Sequence, residues 1–229
     1  MTASTTGPGR RRRRVGVLIS GRGSNMMALA EAARRPDYPA EIVLVLSNRP
    51  DAAGLVRARD MGVKTLAIDH KSFASREAFD DAVDAALNAA GIEFVCHAGF
   101  MRIQSDAFAS RWLGRQINIH PSLLPLFKGL HPQKQALDAG VRLSGCTVHF
   151  VTPELDGGPI IAQGAVPVLD GDTPEILAER ILAVEHEIYP HALALVASGA
   201  ASLEGGRVKI AGPINQTGRL ISPEPAASR

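Results

Sequence analysis

Cysteine is nearly absent from this chain of 229 residues, and its two cysteines, Cys96 and Cys146, stand far apart. Without CxxC spacing neither a disulfide framework nor a zinc site is expected. Both read as buried free thiols in a reducing compartment, and no metal is expected. Long hydrophobic runs are also missing. No apolar stretch approaches the roughly 20 residues that span a bilayer, which excludes a membrane helix. The amino terminus is basic but has no adequate apolar segment behind it, so no secretory signal is expected. The reading is a cytoplasmic protein with no membrane partner.

A dominant charge is lacking too. The formal net charge is +2, and Arg10–Arg14 alone supply five positive charges, so removing them takes the remainder to −3. Basic character is therefore confined to residues 1–14, which read as a disordered, solvated tail. The alternative is an arm that attracts RNA, DNA or phosphate. No nucleic-acid partner is expected for the rest. Hydrophobic content of 45% with 21% charged residues is that of an ordinary globular domain.

Within that domain, apolar strand-like runs alternate with helical patterns. Strands are expected at Val15–Ser20, Glu41–Ser47, Lys64–Ile68, Glu93–His97, Gln116–Ile119, Gly145–Val151 and Pro159–Val168. Helices are expected after the glycine-rich turn Gly21–Asn25, and over Ala52–Met61, Ser75–Ala90, Asp106–Leu113 and Pro132–Ala139. A last helix starts at the Thr173 cap with Pro174 at its first position and runs to about Ser198. A small hairpin is expected over Ala201–Ile210. This order predicts an α/β fold with a mostly parallel, doubly wound sheet in a single domain, 15–211, followed by a loose tail, 212–229.

Two stretches carry chemistry. Asn118 and His120 alternate with Ile117 and Ile119, so on a strand both polar side chains leave by one face. Pro121 ends the run, placing the pair at a strand's carboxyl end, where open α/β sheets bind ligands. An imidazole can shuttle a proton near neutral pH, and an Asn NH2 can donate to an oxyanion. Asp156, ahead of Gly157 and Gly158, adds a carboxylate that would favour the imidazolium if it lay beside His120. By spacing alone these residues read equally as turn caps. The second stretch is the strand, Gly21-Arg22-Gly23-Ser24-Asn25 turn and helix, an arrangement that can hold a phosphate on backbone N–H groups. It is neither a dinucleotide fingerprint, since Met26 stands at the third glycine, nor a Walker loop.

The ordered segments NIHPSLLP, GLH, QAL, TVHFV and ELDGGPII, together with GxGSN, SREA and AGFMRI, resemble the glycinamide ribonucleotide (GAR) formyltransferases over residues 15–211. The resemblance implies a Rossmann-like formyltransferase fold and transfer of the formyl group of 10-formyltetrahydrofolate, the co-substrate, to the amine of GAR in purine biosynthesis. Matched position by position, it implies Asn118, His120 and Asp156 as catalytic residues. Gly23, Ser24, Asn25 and Glu185 would bind GAR, the first three at its phosphate. Folate would be held by Arg76, Met101, Arg102, Ile103, Gln104, Asn118, Thr152, Glu154 and Asp156. His97 and Gln104 depart from the leucines that relatives commonly carry there. A homodimer stays open.

Two related enzymes share the Asn, His and Asp. A 10-formyltetrahydrofolate hydrolase is expected to carry a regulatory domain, for which this length leaves no room. A methionyl-tRNA formyltransferase is expected to have a tRNA-binding domain and to lack the Gly-Ser-Asn loop. The non-enzymatic alternative is a nucleotide- or RNA-binding module built on the basic tail and the glycine loop.

Overall fold

The computed structural model describes residues 11–211 and residue 222. Its elements are β1 (Arg13–Ile19), α1 (Ser24–Ala32), β2 (Ala40–Ser47), α2 (Ala53–Asp60), β3 (Lys64–Ala67), α3 (Arg76–Ala89), β4 (Phe94–His97) and α4 (Asp106–Arg111). Then follow β5 (Gln116–His120), α5 (Pro132–Asp138), β6 (Leu143–Phe150), β7 (Ile160–Pro167), α6 (Pro174–Ser198) and the hairpin β8 (Ala201–Glu204) and β9 (Arg207–Ile210). The main sheet has seven strands in the order β3-β2-β1-β4-β5-β6-β7. The first five in that order pair in parallel, while β6 runs antiparallel to both its neighbours. The fold is thus the expected mostly parallel, doubly wound α/β sheet.

Alternation along the strands separates two cores. Val15, Val17 and Ile19 of β1 point into a large cluster with Met26 and Leu29 of α1 and Leu177, Ile181 and Leu193 of α6. Leu18 points the other way, against Phe79, Val83 and Leu87 of α3, Phe108 of α4 and Trp112 at the end of that helix. Phe79, Val83 and Leu87 recur every four residues, so one stripe of α3 is buried along its length. The α3 start is capped by Ser75, whose hydroxyl accepts from the Ala78 N–H at 3.1 Å. Helix α6 runs through Pro190 as one 25-residue helix. It is fixed to the sheet by Tyr189, whose hydroxyl lies 2.9 Å from the His97 carbonyl oxygen and 3.2 Å from that of Ile117.

The expected tail boundary at residue 15 needs correction. Strand β1 begins at Arg13, two residues inside the stretch read as disordered, and pairs with Ala40 and Glu41 of β2. Glu93 collects the basic side chains: Arg11 Nη2 at 2.7 Å and Arg13 Nη1 at 2.8 Å, while the Arg14 backbone N–H donates to it at 3.1 Å. Burial pushes the Glu93 carboxyl up, but the Arg14 N–H and the Arg13 and Arg11 guanidiniums outweigh it and hold it below the usual range. A charge run reads as solvated because its partner lies some eighty residues away in sequence. The expected character of residues 1–10 and 212–229 falls outside the described residues, apart from residue 222.

Candidate active site

Strand β5 places the central pair. Ile117 and Ile119 enter the large core, and Asn118 and His120 leave from the opposite face, as the alternation predicts. Antiparallel β6 sets His149 directly across from Asn118 and Thr147 across from His120. Parallel β4 sets His97 across from Asn118 on the other side. His97, Asn118 and His149 therefore form one polar rung over three strands, along a cavity of about 120 Å³.

The rung has a definite hydrogen-bond order. His149 Nδ1 lies 2.9 Å from the Phe150 carbonyl oxygen, which can only accept, so Nδ1 carries the proton. Burial lowers the His149 pKa and keeps the ring neutral. Its Nε2 is then an acceptor for the Asn118 Nδ2–H at 3.3 Å. One N–H of that amide is thus engaged and the other remains for a ligand. His149 was not among the residues expected to act. Its signal was the alternation of TVHFV, but only the β5–β6 register shows what it faces.

His120 lies between two oxygen acceptors. Its Nδ1 is 3.3 Å from Asp156 Oδ2, and its Nε2 is 2.9 Å from the Phe127 carbonyl oxygen. Asp156 is held in turn by the Gly129 N–H, which donates to Oδ2 at 2.9 Å, and its Oδ1 is 3.8 Å from His149 Nε2. The turn 154–158 delivers this carboxylate. Asp156 adopts a left-handed φ of 48°, and Gly158 lets the chain pass close to β6: a Cβ there would lie 1.8 Å from the Phe150 carbonyl oxygen. Gly158→Ala is expected to destabilise the protein by roughly 1–3 kcal/mol, through overpacking against backbone that cannot yield. A calorimetric scan should register this as a Tm lower by several degrees; an unchanged Tm would show that the turn relaxes freely.

Seven of the nine residues expected to hold folate line this cavity: Arg102, Ile103, Gln104, Asn118, Thr152, Glu154 and Asp156. Two do not. Met101 is exposed and borders an adjoining depression with Ser20, Asn48, His70 and Arg102. Arg76 is exposed in the first turn of α3, one turn before Phe79, over whose ring the Arg102 guanidinium stacks at 5.4 Å. The start of the loop 122–131 is fixed to β6 and β7. The Leu124 N–H donates to Thr147 Oγ1 at 3.0 Å, Thr147 Oγ1 to the Ser122 carbonyl at 2.7 Å and Gln163 Nε2 to the Leu124 carbonyl at 3.0 Å.

At the start of α1, Gly23 takes a left-handed φ of 74°, and the Met27 N–H donates to its carbonyl at 3.0 Å. Asn25 Nδ2 donates to Glu185 Oε2 at 2.7 Å from α6, 160 residues later. Both side chains are buried, and Asn25 Oδ1 has no partner among the described residues. Burial raises the Glu185 pKa, against the opposing hydrogen bond from Asn25. An amide oxygen left open beside a buried carboxyl can accept from a ligand hydroxyl or amine.

Among the described residues no group of three or more His, Cys, Asp or Glu side chains is placed to hold a metal ion. Both cysteines are buried and free, with burial pushing each thiol up to about 12, so neither is an activated nucleophile. A wider groove of about 800 Å³ lies between Arg11–Arg13, Tyr38 and the end of α6, and holds none of the motif residues.

The sheet brings the Asn118 amide and the Asp156 carboxylate to one cavity, with the His120 imidazole behind that carboxylate, an arrangement suited to acyl-group transfer. The chain belongs to the formyl transferase family, whose profile (Formyl transferase) matches residues 13–193. It is 44% identical over 199 residues to "Phosphoribosylglycinamide formyltransferase" of Escherichia coli (strain K12), covering 84% of this chain and 94% of that protein. It is 53% identical over 196 residues to "Trifunctional purine biosynthetic protein adenosine-3" of Bos taurus, covering 85% of this chain. The match spans only 19% of that longer relative's length. Among solved structures, glycinamide ribonucleotide transformylase 1 from Symbiobacterium toebii superposes with a TM-score of 0.85 at 50% identity, over 88% of this chain and 95% of that one.

Proposed function

We propose that the protein transfers the formyl group of 10-formyltetrahydrofolate to the amine of 5'-phosphoribosylglycinamide, giving formyl-GAR and tetrahydrofolate in de novo purine biosynthesis. The observation that carries this reading is that Asn118 and Asp156 line a cavity walled by Arg102, Ile103 and Thr152, with His120 3.3 Å from the Asp156 carboxylate. The glycine loop with Asn25 and Glu185 supports the GAR half, since it offers backbone N–H groups for a phosphate and a buried, unpartnered amide oxygen beside the Glu185 carboxyl.

The neutral amine of GAR attacks the formyl carbon, and the carbonyl π pair moves to oxygen. The free N–H of the Asn118 amide donates to that oxyanion, and His120 as imidazolium stabilises it. The C–N10 bond then breaks, its electron pair leaves on N10, and the His120 imidazolium gives its proton to that nitrogen and is recharged by the proton that the amine loses. Asp156 orients the imidazole and orders water for this proton movement. No covalent enzyme intermediate is needed, because no activated serine or cysteine stands in the constellation.

The test is release of tetrahydrofolate, or of its deaza analogue, followed by absorbance with and without GAR. Turnover that requires GAR is expected. Turnover without it would identify a hydrolase, and no turnover under either condition would reject the proposal.

A further inference from the structure

The back wall of the cavity carries hydrogen-bonding groups that the transfer step does not use. His97 Nε2 lies 3.1 Å from Gln116 Oε1 and 3.4 Å from Gln104 Nε2. Gln116 is fully buried, and its own Nε2 donates to the Ala109 carbonyl at 3.3 Å, which turns Oε1 towards His97. One ring nitrogen cannot donate to Gln116 and accept from Gln104 at once. Under either tautomer, Gln104 Oε1 remains shielded from solvent without a partner among the described residues. Burial holds His97 down to about 4, so the ring adds hydrogen bonding to this wall and no charge at neutral pH. The Phe100 ring stands edge-on to His97, with centroids 5.7 Å apart, and keeps the wall narrow.

A buried amide oxygen left unpaired is disfavoured unless a ligand supplies its donor. We propose that Gln104, backed by His97 and Gln116, is a specificity-determining residue that accepts a hydrogen bond from a ring N–H on the fused heterocyclic head of the co-substrate. The inference rests on the folate reading above. Binding of that head then depends on a donor at the ring edge.

Gln104→Leu in the full chain tests this, with a non-reactive deaza analogue of 10-formyltetrahydrofolate titrated by intrinsic fluorescence. Loss of one hydrogen bond to a buried ring N–H should raise its Kd by roughly 5–30-fold. The KM for the co-substrate should rise in step, with a smaller change in kcat and little change in the KM for GAR. Gln104→Glu keeps an acceptor and should recover most of the affinity, and Gln104→Met serves as the apolar variant if Gln104→Leu folds poorly. Equal or tighter binding of the analogue by the apolar variant would overturn the assignment while leaving the folate reading intact. Folded wild-type protein that binds no analogue would overturn the folate reading, and this inference with it.

Discussion

Replacing His120 by alanine should lower the turnover number for formyl transfer by roughly 10²–10⁴, the range for losing a positioned general acid–base. The expectation follows from its surroundings. The ring is held between Asp156 Oδ2 and the Phe127 carbonyl, buried and in one orientation. Among the described residues no other titratable side chain is fixed on Asp156 as closely, since His149 Nε2 is 3.8 Å away and burial lowers its pKa. A residual rate should survive, because binding both substrates in contact is independent of the imidazole. The substitution removes the imidazole from the half-buried Asp156 carboxylate and leaves it the Gly129 N–H, so single-turnover rates should be read beside a thermal melt and a folate-binding titration. A kcat equal to wild type, in folded protein that binds both substrates, would remove His120 from the mechanism.

Asn118→Ala is expected to lower kcat by roughly 10²–10³, the effect of deleting one oxyanion donor. The amide is oriented by His149, which takes one of its N–H groups and leaves the other for the carbonyl attacked in the proposed reaction. The loss should therefore fall on kcat far more than on either KM, because the donor gains strength only as charge develops on oxygen. Steady-state kinetics with both substrates varied would separate the two. A large rise in the folate KM with kcat preserved would make Asn118 a binding residue and pass the oxyanion to another donor.

Much of this architecture is local and therefore readable along the chain. The period-two alternation of Ile117–His120 puts the two isoleucines in the core and the Asn–His pair on the other face, and both sides of that division stand in the fold. Helix α6 begins at Thr173 and Pro174, where the capping residue and the proline place it. The Asp-Gly-Gly turn requires glycine at Gly158, where a Cβ would run into the Phe150 carbonyl of β6. Dihedral preference, pleat period and capping act over a few residues, so the sequence displays them directly.

What only the tertiary structure decided is which distant groups meet. The reversal of β6 brings His149 to Asn118 and so fixes the amide's orientation, yet nothing within LSGCTVHF specifies its direction in the sheet. Gln116 looks like one polar residue at a strand start, and becomes the anchor of His97 only through the β4–β5 register and the neighbouring α4. Arg76 is near the right helix by motif but stays outside the cavity wall, because the direction of a first-turn side chain depends on how α3 packs. Arg13 and Arg14, the end of the arginine run, join β1 because Glu93 and β2 are there to receive them. The sequence by itself determined the elements and the chemistry they can offer. Long-range pairing, whose energy depends on partners tens of residues away, determined which of those groups share a site.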